Sequence, residues 1–140
     1  IYQYSKRRIM MYRYYQPNKK DLKDNHGDCV IRALTMILDK SWLGVFDDLV
    51  PYARELQDDF SCRSVYEKYL IDKGFTYVGI SNRRGSKRPT VSQFARDHKK
   101  GRYFCNLANH VVCVVDGVYY DTWDCGDSCL YGYYAILEDK

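Results

Sequence analysis

The residue whose surroundings most suggest chemistry is Cys29, in the run Asp24-Asn25-His26-Gly27-Asp28-Cys29-Val30-Ile31-Arg32-Ala33-Leu34. A polar, glycine-containing turn gives way at the cysteine itself to an apolar stretch with helical spacing. That puts a thiol in the first turn of a buried helix, where free backbone N–H groups and the positive end of the helix dipole favour the thiolate. The thiolate is the reactive form, so Cys29 is the candidate nucleophile. Such a nucleophile needs a histidine to move its proton and an acceptor that fixes the histidine's tautomer. Of the three histidines, His26 lies in the turn beside the cysteine, and His98 sits among Arg96, Asp97 and Lys99 at a helix end. His110 remains.

Its acid follows from counting. Asp116-Gly117 between two valine-flanked runs is a strong signal for a two-residue hairpin loop of primed type. With that turn, Val115 faces Val118, Val114 faces Tyr119, Cys113 faces Tyr120, Val112 faces Asp121 and His110 faces Trp123. Opposed residues share a face, as do alternate residues along a strand. His110 and Asp121 are therefore diagonal neighbours within side-chain reach, provided the cysteine's helix packs on that face. Asp124 has the opposite parity and points away. The constellation read from the residues is Cys29, His110 and Asp121.

The elements that must position it read as N-terminal helices first and a C-terminal antiparallel sheet second, an α+β pattern of segregated layers. Residues 29–40 form a helix whose apolar positions Val30, Ala33, Leu34, Ile37 and Leu38, widened by Ile31 and Met36, imply a central, nearly encircled element. Ser41 caps a second helix that Pro51 ends or kinks. A third spans 61–73, with Gly74 as its stop. Residues 75–80 are strand-like and 81–88 form a basic loop. Thr90-Val91-Ser92-Gln93 has the form of a capping box opening a short helix to about residue 98. Strands follow at 102–107, 110–115, 118–121 and 130–136. The division is a basic arm, 1–23, and one folded domain, 24–140.

With 140 residues, 46% hydrophobic and 29% charged, the chain has the composition of one ordinary globular domain. No apolar run approaches the ~20 residues of a membrane span, and the basic start lacks the apolar segment of a secretory signal. The expectation is a cytoplasmic protein that makes no membrane contact. Six cysteines sit mostly within periodic elements rather than framing loops, which favours reduced thiols. Cys125 and Cys129 share a loop and form the one candidate redox or metal clip, but no second pair or adjacent histidine completes a zinc set. The net charge of +4 is uneven. Residues 1–24 hold seven Lys or Arg against two Asp, a net of +5, with five interleaved tyrosines. Such segments occur in nucleic-acid-binding arms, and equally as solvated strands or tails.

The order of thiol at the head of a central helix, histidine opening a strand and acid on the next strand resembles that of papain-like cysteine peptidases. The shorter form is most similar to bacteriocin-processing leader peptidases and to small phage and bacterial proteins with an Asp-Cys-Val-x-Arg-Ala opening, here residues 28–33. Residues 109–122 look like that family's histidine strand, hairpin and acid. The resemblance covers roughly residues 24–136. It implies a papain-like fold and acyl transfer through a thioester on Cys29, with hydrolysis of a peptide or isopeptide bond in a protein or peptide substrate. No metal or organic cofactor is needed. In the family a glutamine about six residues before the cysteine donates to the oxyanion. Lys23 stands there in this chain, and the nearest amide is Asn25, which with the Cys29 backbone N–H would take that role. The alternative is a catalytically silent papain-like binding or inhibitory module, in the bacterial host's cytosol if phage-encoded, whose basic arm and 83–88 loop engage an acidic host partner. Nucleic-acid binding by the same segments is a weaker third reading.

Overall fold

A computed structural model describes residues 11–20, 27–82 and 87–137. The architecture is α+β, built from four helices and a six-stranded sheet. The helices are α1 (Cys29–Leu38), α2 (Trp42–Leu56), α3 (Arg63–Asp72) and α4 (Val91–Asp97). The strands are β1 (Tyr12–Tyr14), β2 (Thr76–Gly79), β3 (Arg102–Leu107), β4 (His110–Val115), β5 (Val118–Asp121) and β6 (Gly132–Ala135), ordered β1-β5-β4-β3-β6-β2 across the sheet. Among the described residues no helix is long and apolar enough to cross a membrane.

The 3.6-residue apolar repeat of α1 buries Val30, Ile31, Ala33, Leu34 and Ile37 between α2 and α3 on one side and the sheet on the other, giving the encircled helix that its pattern implies. Truncating a fully buried residue of this layer such as Leu34 costs about 2–5 kcal/mol. The helix ends where Asp39 takes the left-handed conformation, φ 54°, short of residue 40. Helix α2 is capped by Ser41, whose hydroxyl accepts from the Gly44 N–H at 3.0 Å. It does not end at Pro51: it runs through the proline to Leu56. Pro51 lies on the exposed side, and so does Asp47, whose carbonyl loses its partner and is left to water. The capping box at Thr90 forms as expected, with Thr90 and Gln93 bonding reciprocally.

The sheet departs from the all-antiparallel expectation. Residues 12–14 of the basic arm pair in parallel with β5, Tyr14 opposite Asp121. The arm is held further in by Tyr15, whose N–H donates to the Asp121 carbonyl at 2.9 Å and whose hydroxyl meets Thr35 Oγ1 at 2.7 Å. The layering departs too. Alternation sends Phe104, Val111, Cys113 and Tyr134 into the core under α1, α2 and α3. Their neighbours Cys105, Val112, Val114 and Tyr119 join a second core under α4 on the opposite face.

Candidate active site

The hairpin that orders the site forms with the expected register: Val115 opposite Val118, Val114 opposite Tyr119, Cys113 opposite Tyr120. Asp116 and Gly117 have φ of 50° and 81°, the doubly positive turn that aspartate–glycine sequences favour. A second tight turn, Ala108-Asn109 with Asn109 at φ 55°, joins β3 to β4 and sets His110 as the first residue of its strand. Asp121 is the last residue of β5. Histidine and aspartate thus stand together at one end of the sheet.

They meet as the diagonal count requires. The His110 Nε2 lies 2.6 Å from Asp121 Oδ2, which leaves Nδ1 for the thiol, and Cys29 and His110 shift each other's pKa in opposite directions. One premise of the count changes. Helix α1 packs on the Val111 and Cys113 face, whereas strict alternation places His110 and Asp121 with Val112 on the other. Because both are terminal strand residues, their side chains reach round the end of the sheet to the head of α1. Asp124 is engaged elsewhere, accepting from the Tyr119 hydroxyl and from the Gly126 N–H at 2.9 Å. His98 packs flat on Phe94 in the second core, its Nδ1 2.8 Å from the Phe94 carbonyl. Asn25, Lys23 and His26 lie outside the described residues, so the amide side of the oxyanion site does as well.

The electrostatics bias the pair toward thiolate and imidazolium. Burial disfavours the Cys29 thiolate, but the hydrogen bond from His110, the Val111 backbone N–H and the charges of His110 and Arg32 outweigh it, and the thiol pKa falls below its ordinary value. Burial also works against charging His110. The bonds and charges of Asp121 and Cys29 overcome it and raise the imidazole to about 9. Asp121 resists its own burial through His110, Arg32 and the Thr122 N–H, and sits below the usual carboxylate range.

Three residues beyond the expected trio complete the setting. Arg32, almost fully buried, donates through Nη2 to Asp121 Oδ1 at 2.9 Å and through Nη1 to Asp28 Oδ1 at 2.7 Å. Asp28 occupies the N-cap position of α1 without capping it; its other oxygen accepts from Trp42 Nε1 at 2.9 Å. The detectable signal was an arginine inside an otherwise apolar stripe with an aspartate four residues before it. Trp123, half exposed, sets its ring 5.0 Å from that of His110.

The thiol opens onto solvent. A cleft of about 520 Å³ is lined by Gly27, Cys29, Ser61, His110 and Trp123. A second of about 410 Å³ shares Cys29, Ser61 and His110 and continues over Val30, Tyr66 and Leu107. The two clefts meet at Cys29 and His110. As for a metal, His110 Nε2, an Asp121 oxygen and Cys125 Sγ lie within 4.8 Å of one another, but the first two already bond each other and Arg32 takes the remaining carboxylate oxygen. Cys125 and Cys129 stand apart in environment, one buried and one exposed, and all six cysteines are free. Comparison of the chain with protein-family models, with curated proteins and with solved structures gives no match.

Proposed function

We propose that the protein is a papain-like cysteine peptidase that hydrolyses a peptide or isopeptide bond, in a cytosolic setting where its thiol stays reduced. The observation that carries the reading is the ordered arrangement at the cleft: Asp121 holds His110 by Nε2, and the free side of the imidazole is left for a thiol at a helix head that lines the same cleft. A buried structural cysteine needs neither partner. The Cys29 sulfur attacks the substrate carbonyl carbon and the carbonyl π electrons move to oxygen, where the Cys29 backbone N–H is one donor. As the tetrahedral intermediate collapses, His110 gives its Nδ1 proton to the departing amine, leaving a thioester. Water then attacks the thioester carbon, His110 takes its proton, and the acid product leaves as the thiolate re-forms. Asp121 keeps one tautomer and one ring orientation throughout.

The test is incubation of the purified protein with a mixed peptide pool, read by mass spectrometry. New termini from wild type, absent with Cys29→Ala, support the reading, as does an acyl adduct on Cys29 trapped at low pH. Identical pools from both proteins contradict it. A second reading, a silent module for an acidic partner, is favoured by a separate cavity of about 510 Å³ in which Lys19, Lys20 and Lys40 surround Tyr15 and Trp42. Salt-sensitive association with an acidic protein that survives Cys29→Ala is its signature.

A further inference from the structure

A buried arginine shared between two carboxylates calls for a reason. Replacing such ionic groups with well-packed apolar ones is often neutral or stabilising, so their presence is poorly explained by stability alone. Around the thiol stand Asp28 just before α1, Arg32 from α1, His110 from β4, Asp121 from β5 and Cys125 from the segment after it, while Tyr12 of β1 donates to the Asp121 carbonyl at 3.1 Å. Without Arg32 this group contains two carboxylates against one imidazolium, and a third negative charge on sulfur would be strongly opposed. An aspartate as the histidine's acceptor creates this difficulty, since a neutral amide in its place would add no charge.

We propose that Arg32 is a positioning residue of the reaction: clamped by Asp28, it holds Asp121 Oδ1 so that Oδ2 alone faces His110, and it cancels the carboxylate charge that would otherwise oppose the Cys29 thiolate. The geometry supports both halves. Nη1 and Nη2 of one guanidinium each take a different carboxylate, a span that the planar fork of arginine makes and the single ammonium of lysine does not. The clamp is fixed from behind by the Trp42 indole on Asp28, and that ring stacks on Phe46 at 5.6 Å. It also ties the helix head to the sheet end. This inference rests on the reading of Cys29 as an activated nucleophile.

The experiment is alkylation of Cys29 by iodoacetamide from pH 4 to 9, read by peptide mass mapping, in wild type, Arg32→Gln, Arg32→Lys and His110→Ala. In Arg32→Gln the rate limb moves to higher pH by on the order of one unit, so labelling on the limb slows about tenfold. Arg32→Lys keeps the charge but loses the fork, and its curve falls between the two. An Arg32→Gln protein that keeps its near-ultraviolet circular dichroism and reproduces the wild-type curve overturns the proposal. If that variant does not fold, Trp42→Phe removes only the bond to Asp28 and keeps a ring on Phe46. Its curve moves the same way by less, and an unmoved curve overturns the proposal equally. A wild-type curve that is ordinary and indifferent to His110→Ala is a different failure. It removes the peptidase reading and the role of Arg32 together.

Discussion

Cys29 and Cys113 belong to the same core beneath the helices, yet their thiols are driven in opposite directions. Cys113 is fully buried in the middle of β4, its sulfur 3.8 Å from the Tyr120 carbonyl, and burial pushes it up to about 12. Cys29 also suffers burial, but imidazolium, a backbone N–H and the guanidinium beyond them bring it down. The two differ in position rather than type. Mid-strand, every backbone group is committed to the ladder and neighbouring side chains are apolar. At a helix head and a sheet end, uncommitted groups converge, and a thiolate can be stabilised there.

Replacing Asp121 by Ala tests the contrast hardest, because it returns Cys29 toward the situation of Cys113. Peptide hydrolysis is expected to fall about 10²–10⁴-fold as His110 loses its orienting acceptor. Removing one partner of the buried ion pair also leaves Arg32 half satisfied, at a cost of about 3–5 kcal/mol readable as a lowered urea midpoint.

A subtler consequence lies in the pH dependence of stability. Free histidine loses its proton near ~6.5 and free cysteine near ~8.5. Between those values the unfolded chain holds one proton on the pair, on sulfur, and a folded thiolate–imidazolium pair also holds one, on His110. Equal proton counts mean that the pair contributes no slope over that window. In Cys29→Ala the part of the His110 rise that Cys29 supplies is lost, and Asp121 is left to hold the imidazole above its free value. Its contribution is fully present below pH ~6.5 and is lost as pH rises through its folded value, so the urea midpoint should decline from pH 6.5 to 8.5 while wild type stays level. Equal slopes in the two proteins would show that Cys29 is not the thiolate partner. The smallest effect belongs to the other thiol. Cys113→Ala should cost about 1 kcal/mol for its small cavity and leave Cys29 labelling unchanged.

Local signals made much of this site legible in the sequence. Asp116-Gly117 dictates a turn that only positive φ satisfies, so the register of β4 on β5, and hence the choice of Asp121 over Asp124, follows by counting. The thiol's place at the head of α1 follows from the switch to apolar residues at Cys29. What escaped were partners distant in the chain. The parallel pairing of residues 12–14 with β5 joins segments more than a hundred residues apart and leaves no local pattern. Arg32 stands out locally as a charge in an apolar helix, but its purpose becomes visible only when folding brings Asp121 to it from 89 residues away. Pro51 does not end α2 because its effect depends on exposure, and the outer side of the helix leaves the freed carbonyl to water.

The central claim, that Cys29 is a thiolate sustained by His110, is tested most directly by the pH profile of its alkylation in wild type against His110→Ala. The account predicts that the labelling rate of Cys29 in native wild type rises at a pH below the ordinary thiol value of ~8.5. On that limb His110→Ala should label at least about tenfold more slowly. Labelling of Cys29 that rises only near pH 8.5 and is the same in both proteins would contradict it.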